Sequence, residues 1–270
     1  MDHTVTPAGR VAISMDEHGV AQVRLIRADK MNALDPDMFA ALLNAGHVLH
    51  GLKGLRCVVL SGAGRSFCAG LDMASMGDTN RRRETPLTTR THGNANMPQQ
   101  VAMQWRKLPV PVIAAVHGVC FGGGLQIASG ADVRVVAPDA RLAVMELKWG
   151  LVPDMGGYAL WRGTVRDDVL RELTYTNREF TGAEAQGYGF ATLLDADPVA
   201  RATAIATEIA NRNPDAQRAA KRLFASYLHA SVDDILMAES IEQQAIMGTN
   251  NQIEAVMSQM QKRRGEFTDS

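Results

Sequence analysis

The first half of the chain alternates between short apolar runs and longer amphipathic stretches. The short runs predict β-strands at residues 11–15, 20–26, 56–61, 112–116 and 132–136. The amphipathic stretches predict helices over 37–52 and 95–107, and a glycine turn at 122–124 opens a third helix that ends at residue 129. Asp35 stands at the cap position of the first helix and Pro36 at its first helical position. Strands that alternate with helices indicate an α/β fold.

The pattern changes after residue 166, where the strand signal nearly disappears. Apolar residues recur at helical spacing through 197–210, 214–228, 232–247 and 252–264. Residues 77–94 are polar and without periodicity, which predicts a surface loop. We therefore expect an α/β core over residues 1–195 and a helical subdomain over 196–270.

Composition and charge exclude several classes of protein. The 270 residues are 46% hydrophobic and 21% charged, which is typical of a globular protein. The net charge of −1 gives no electrostatic footprint for nucleic acid or an anionic membrane. The most apolar stretch, 110–130, is interrupted by Pro111, His117 and Gln126, so no membrane-spanning helix is expected.

Cysteine usage and the N-terminal residues bear on location. The three cysteines are far apart in sequence and form no CxxC pair, which suits a reducing compartment. The N-terminal residues carry no secretory or transit pattern. We expect a cytoplasmic protein.

Two glycine-bearing turns, 61–72 and 117–126, each follow a predicted strand. Neither contains a phosphate loop, a dinucleotide fingerprint or a nucleophile elbow. Glycine lets backbone N–H groups approach a ligand closely, so two such turns could aim two N–H groups at one oxygen, as in an oxyanion hole. Plain tight turns are the alternative.

Two carboxylic residues, Glu146 and Asp154, lie in the mostly apolar segment 145–157. A carboxylate in apolar surroundings is costly unless it is partnered, so such residues are enriched at reactive sites. Alternatively, either residue caps a turn, and Asp154 could cap the helix that follows it.

These elements together resemble the crotonase superfamily, the enoyl-CoA hydratase/isomerase family. The resemblance rests on Asn32-Ala-Leu-Asp35, Ser66-Phe-Cys-Ala-Gly-Leu-Asp72, the segment 111–118 leading into the glycine run, 146–157, and 262–267. It implies a crotonase-like spiral of ββα turns with a C-terminal α-helical trimerisation subdomain. It also implies a homotrimer or a dimer of trimers.

The resemblance further implies an acyl-CoA thioester substrate, with the thioester carbonyl bound by the N–H groups of Leu71 and Gly123. Family hydratases carry two glutamates, and this chain has Gln126 at the first position and Glu146 at the second. The single glutamate favours double-bond isomerisation, with Asp154 as a second acid. At the position of Asp154, family dienoyl-CoA isomerases carry an acid and family dehalogenases a nucleophilic aspartate. Hydration of 2-enoyl-CoA and non-catalytic acyl-CoA binding are the alternatives.

For CoA itself, the resemblance points to five positions and to the backbone around Ala69. They are Arg27, Lys30, Asp72, and, reaching the adenine pocket of a neighbouring subunit, Arg264 and Phe267. No metal and no further cofactor are expected, because CoA is part of the substrate. His47 and His50 have no third ligand nearby in sequence and are expected to be a surface pair.

Overall fold

A computed structural model describes residues 4–6, 9–76 and 85–269 of the chain. Part of the predicted loop 77–94, residues 77–84, lies outside the described residues. None of the helices in the described ranges combines the length and the apolar character of a bilayer-crossing segment.

The larger of two sheets forms the centre of the fold. Within the described residues it has seven strands, which are β1 (Thr4–Val5), β2 (Val11–Met15), β3 (Val20–Leu25), β4 (Cys57–Gly62), β5 (Val112–Val116), β7 (Val133–Val136) and β10 (Leu193–Leu194). Their spatial order in the sheet is β1-β2-β3-β4-β5-β7-β10. The pairs β1–β2 and β2–β3 are antiparallel, and every later pair is parallel. The five predicted strands are thus present, each within one residue of its expected ends.

A smaller sheet was not predicted from the sequence. It consists of β6 (Val119–Phe121), β8 (Arg141–Ala143) and β9 (Phe180–Thr181), with β6–β8 parallel and β8–β9 antiparallel. Strands of two or three residues are too short to show a period of two. This sheet therefore left no readable pattern.

Helices lie between and after the strands. They are α1 (Pro36–Gly51), α2 (Met73–Met76), α3 (Met97–Lys107), α4 (Gly123–Ser129), α5 (Gly157–Trp161), α6 (Asp167–Thr176), α7 (Gly182–Tyr188), α8 (Pro198–Ala210), α9 (Pro214–Ser226), α10 (Val232–Ile246) and α11 (Asn250–Met260). The predicted cap of α1 is confirmed, because Asp35 accepts a hydrogen bond from Met38 N–H at 2.8 Å. Two 3-10 helices, Ala28–Lys30 and Glu146–Trp149, complete the set.

The core occupies both faces of the larger sheet. On one face, α1 and α3 pack over a large cluster that includes Val23, Leu60 and Trp105. On the other face, Ala202 and Ala206 of α8 pack against Cys57 and its neighbours. The first helix of the predicted subdomain therefore covers the sheet, and the division of the chain at residue 195 stays a prediction.

The last helices bury little of their apolar surface within the chain. No residue of α10 is buried, and the side chains of Val232, Leu236, Met237 and Ile241 are all more than half exposed. The predicted helical C-terminal region is thus present, with an apolar surface on its outside.

Candidate active site

The first glycine turn presents Leu71 beside α1. Leu34 N–H donates to Gly70 O at 2.8 Å, and Asp72 N–H donates to Leu34 O at 3.0 Å. Leu71 lies between these two bonds and forms an isolated parallel bridge with Leu34. Because N–H groups alternate in direction along an extended chain, the N–H of Leu71 points away from Leu34.

The second glycine turn presents Gly123 at the start of α4. Gly122 is the N-cap residue, with a φ of 49°, and Gly123 is the first helical residue. The N–H of a first helical residue has no partner within its helix. Of the backbone hydrogen bonds outside helices and strands in the described residues, none is donated by Leu71 or Gly123.

Hydrogen bonds hold the two turns side by side. Cys68 N–H donates to Val119 O, and Phe121 N–H donates to Cys68 O, each at 3.1 Å. A Cβ added to Gly70 would lie 2.8 Å from Phe121 O and 3.8 Å from Gly123 N. The turns therefore meet at Gly70 and Gly123, and only glycine at position 70 allows this approach.

Glu146 begins the 3-10 helix after β8 and faces the second turn. Its side chain is buried, and its Oε1 would lie 3.2 Å from a Cβ on Gly122. Gln126 Nε2 donates to this Oε1 at 2.6 Å. Oε2, which is also buried, has no hydrogen-bond partner among the described residues. The carboxyl thus has one hydrogen-bonded oxygen and one buried oxygen without a partner among the described residues.

The pKa of Glu146 is raised above its ordinary value. Burial is the main cause, and the negative charge of Asp154 adds to it. The nearby N–H groups of Glu146 and Met145 and the amide of Gln126 oppose this shift, because they favour the ionised carboxylate. A carboxyl group whose pKa is raised toward neutral pH is suited to accept and return a proton.

Asp154 and Tyr158 are two further titratable groups near Glu146. Asp154 is half-buried and does not cap α5, whose N-cap is Gly156 without a side-chain cap. The alternative that Asp154 caps the following helix is therefore wrong. The pKa of Tyr158, in the first turn of α5, is raised by burial and then by the charge of Glu146. Sequence reasoning missed Tyr158, because an isolated tyrosine after two glycines carries no motif.

The residues expected to bind CoA lie in two separate places. Arg27 bonds Asp72 Oδ2 at 2.7 Å through Nη1 and lies 3.3 Å from Asp35 Oδ2 through Nη2. The hydrogen bond from Arg27 holds the pKa of Asp72 below its usual range. Lys30 is exposed, and its positive charge lowers the pKa of Asp72 further. The charges of Arg27 and Asp72 are thus already paired with each other.

The C-terminal tail packs against its own chain. Arg264 Nη2 lies 3.1 Å from His18 Nδ1, and Arg56 Nη2 donates to Phe267 O at 3.3 Å. Arg264 is exposed and Phe267 is half-buried. Neither has a described contact with Leu71, Gly123 or Glu146.

A cavity of about 550 Å³ opens beside the first turn. Its walls are formed by Met31, Arg65, Ser66, Ala69, Val119, Phe121 and Arg141. Ala69, expected at the CoA site, thus lines an open space, with two arginines that the sequence analysis did not single out.

Two of the histidines lie within hydrogen-bond distance of backbone carbonyls. His117 Nε2 lies 2.8 Å from Gly64 O, and His50 Nδ1 lies 3.0 Å from Gly46 O. Within the described ranges no three His, Cys, Asp or Glu side chains are grouped as a metal site requires. His47 and His50 are both exposed on α1.

The fold is α/β, and its candidate site joins two glycine turns with a buried carboxyl. Residues 15–270 match a family model described as Enoyl-CoA hydratase/isomerase. The chain therefore belongs to the enoyl-CoA hydratase/isomerase family of the crotonase superfamily, and it is an enzyme of hydratase/isomerase type.

Named relatives and solved structures agree with this assignment. The chain is 29% identical to a peroxisomal Delta(3,5)-Delta(2,4)-dienoyl-CoA isomerase of Arabidopsis thaliana, over 89% of this chain and 90% of the relative. It is 26% identical to a probable mitochondrial enoyl-CoA hydratase 2 of the same plant, over 95% of this chain and 84% of the relative. A crystal structure of a putative enoyl-CoA hydratase/isomerase from Mycobacterium abscessus superposes with a TM-score of 0.87 at 26% identity, covering 96% of this chain and 100% of that one. The expected crotonase fold is confirmed.

Proposed function

We propose that the protein is an isomerase that shifts the double bond of an enoyl-CoA thioester, with Glu146 as the proton-transferring group. The observation that carries the proposal is the pairing of Glu146 with the amide of Gln126 at 2.6 Å. Addition of water needs one group to take a proton from water and one to supply a proton to carbon. An amide at position 126 performs neither transfer.

The proposed reaction begins on a 3-enoyl-CoA whose thioester oxygen accepts hydrogen bonds from the N–H groups of Leu71 and Gly123. Glu146 Oε2 removes a proton from C2, and the electron pair moves into a dienolate whose charge rests on the thioester oxygen. Oε2 then returns the proton to C4, which leaves the double bond between C2 and C3. The two donors stabilise the dienolate more than the substrate, each by about 3 kcal/mol.

A longer proton shift is the second candidate, and Asp154 is the observation that favours it. Asp154 lies close enough for its charge to raise the pKa of Glu146, so a second carboxyl group is near the first. On a 3,5-dienoyl-CoA, one of them would take the proton from C2 while the other supplies one to C6. Relatives named dienoyl-CoA isomerases from plant and mouse match this chain at 29% and 28% identity.

Hydration of a 2-enoyl-CoA is the remaining alternative. It would require a water molecule between Glu146 and Asp154, with one carboxyl taking its proton and the other protonating C2. Two relatives at 26% identity are named probable enoyl-CoA hydratases, so the experiment below also tests for hydration.

We place the nucleotide end of CoA in the cavity beside Ala69. Arg65 and Arg141 line it together with apolar side chains, which suits phosphates next to an adenine ring. Arg141 already bonds Glu179 at 2.6 Å, so Arg65 is the cation we assign to the phosphates. Arg27, Lys30 and Asp72 then border the pantetheine arm, and CoA enters as part of the substrate with no further cofactor.

We also propose that the protein is a homotrimer or a dimer of trimers, assembled through its last helices. The exposed apolar side chains of α10 and α11 support a second copy as the occupant, because a surface of this kind is rarely left in water. Arg264 and Phe267 would reach the neighbouring subunit's nucleotide pocket from there. The cytoplasmic location expected from the sequence stays a prediction.

The test is proton NMR of the purified protein in D₂O with trans-3-enoyl-CoA, a 3,5-dienoyl-CoA and trans-2-enoyl-CoA. A 2-enoyl product from the first substrate, with no 3-hydroxyacyl product from the third, is the expected result. A product with conjugated 2,4 double bonds from the second substrate would identify the longer shift.

A Glu146→Gln variant provides the matched control, because it keeps an oxygen that can accept from Gln126. Its activity with every accepted substrate should be lost. A 3-hydroxyacyl product from the wild type would overturn the isomerase assignment in favour of hydration. Binding of all three thioesters without turnover would show that the proposed reactions are wrong.

A further inference from the structure

Gln126 makes three hydrogen bonds at the centre of the site. Its Oε1 accepts from Met155 N–H and from Gly157 N–H, both at 2.9 Å, and its Nε2 donates to Glu146 Oε1 at 2.6 Å. Its side chain is only 1% exposed. A Cβ on Gly157 would lie 2.9 Å from Gln126 Oε1, so the absence of a side chain there allows the approach.

The two backbone donors determine which way the amide faces. Two N–H groups can be satisfied only by an acceptor, so the oxygen of Gln126 must face Met155 and Gly157. The nitrogen then necessarily faces Glu146. The chain backbone, acting through Gln126, thus selects Oε1 of Glu146 as the bonded oxygen and leaves Oε2 for the reaction.

We propose that Gln126 is a positioning residue, which orients Glu146 and ties it to the segment that carries Asp154. This inference rests on the isomerase function proposed above. Gln126 has two distinct roles in it: an acceptor for residues 155 and 157, and a donor for the carboxyl. No other side chain of the same length offers both atoms in one plane.

The two nearest replacements each remove a different part of this arrangement. Methionine has a similar length but no N–H or carbonyl group, so all three hydrogen bonds of the amide are lost. Glutamate still accepts from Met155 and Gly157, but its second oxygen would face Glu146 Oε1, acceptor against acceptor. Two carboxyl groups at such a distance share one proton, which keeps Glu146 protonated to higher pH.

The test is a direct titration of the Glu146 carboxyl. Infrared difference spectra between each protein and the same protein carrying Glu146→Gln isolate the carboxyl band of residue 146 across a pH series. The proteins compared are the wild type, Gln126→Met and Gln126→Glu. Asp154 and Tyr158, the other titratable groups facing Glu146, are unchanged in all of them.

Both variants should titrate at higher pH than the wild type, Gln126→Met by about one pH unit and Gln126→Glu by more. With substrate, the acid limb of kcat/KM should move by the same amount while KM changes less than about threefold. Gln104→Glu is the matched control, because Gln104 is another buried amide, which donates to Leu42 O of α1 at 2.9 Å. It should leave the titration of Glu146 where it is.

An unchanged titration of Glu146 in both variants would overturn the inference and leave Gln126 as a space-filling residue. Circular dichroism melts show whether each variant folds. If Gln126→Met does not fold, Gln126→Glu, which retains the acceptor, tests the inference by itself. A wild type that turns over no enoyl-CoA would contradict the proposed function but not the titration, so the two failures are distinguishable.

Discussion

At the scale of single residues, the candidate site contains a buried carboxyl group, Glu146, with only one of its two oxygens hydrogen-bonded by a side chain among the described residues. Oε1 of Glu146 receives the amide of Gln126, and Oε2 is buried without a partner in the described residues. An unpaired buried acceptor is costly in free energy, and in the proposed reaction the proton taken from the substrate supplies the missing partner.

Replacing Glu146 by glutamine should lower kcat about 10²–10⁴-fold, because the variant keeps the shape but cannot transfer a proton. KM should change little, since the bond with Gln126 is retained. Steady-state kinetics with the accepted enoyl-CoA checks this. Glu208→Gln is the control, because Glu208 is exposed on α8 and forms an ion pair with Arg212 at the surface. Equal activity in wild type and Glu146→Gln would exclude Glu146 as the base.

The raised pKa of Glu146 also predicts how stability depends on pH. Unfolding returns the carboxyl to its ordinary pKa of 4.5, so the unfolded state loses its proton at lower pH than the folded state. The free energy of unfolding should therefore fall as the pH rises from that value through the raised pKa. Urea denaturation over this range should show a larger loss for the wild type than for Glu146→Gln. Parallel pH curves would contradict the raised pKa.

At the scale of elements, neither glycine turn forms the site alone. In the proposed site each turn would bring one N–H group, and the bonds between Cys68, Val119 and Phe121 set the two turns side by side. Gly70 lies at the contact, in a backbone conformation with a φ of 87°. An alanine there would be strained in this left-handed conformation, and its Cβ would clash with the carbonyl oxygen of Phe121.

We expect Gly70→Ala to lower kcat at least about tenfold, because displacement of the turn moves Leu71 N–H away from the thioester oxygen. The free energy of unfolding should fall by about 1–3 kcal/mol. Gly93→Ala is a matched control, because Gly93 also has a positive φ of 64° but nothing within 4 Å of an added Cβ. If both variants lost stability equally and neither lost activity, the close contact of the turns would not matter for the reaction.

The cavity lies between the first turn and the smaller sheet, so its walls come from several elements of the fold. Arg65→Ala should raise KM for an enoyl-CoA about tenfold, through the loss of a charge-assisted bond to phosphate. The corresponding pantetheine thioester, which lacks the nucleotide, should be used equally well by both proteins. Arg162→Ala, at an exposed position on the surface, is the control. An equal rise of KM for both thioesters would place the nucleotide elsewhere.

At the scale of the whole molecule, the last helices have an apolar surface that the chain itself does not cover. Ile241→Glu on α10 should dissociate the oligomer, because a charge buried in an apolar interface without a partner is unfavourable. Light scattering should change from a multiple of the 29.2 kDa chain toward the single chain. Gln186→Glu on α7 adds the same charge at an exposed polar position and should leave the mass unchanged. A wild type already at the mass of one chain would overturn the proposed assembly.

The sequence by itself determined the elements whose signal is local. A run of five apolar residues defined β5 to the residue, and Asp35 with Pro36 marked the start of α1. The motifs around Leu71, Gly123 and Glu146 were sufficient to identify the family, because their order along the chain is preserved. Glycine turns and apolar periods depend on the backbone of neighbouring residues, so they can be read without a structure.

Only the tertiary structure decided how those motifs act together. The short strands of the smaller sheet are stable only as partners of one another, and no local pattern marks them. The direction of the Gln126 amide depends on Met155 and Gly157, which lie 29 and 31 residues away. Burial and hydrogen-bond partners arise from contacts between distant segments. The sequence therefore pointed to Glu146 as the candidate carboxyl, and the fold decided that one of its oxygens accepts from Gln126 while the other has no partner among the described residues.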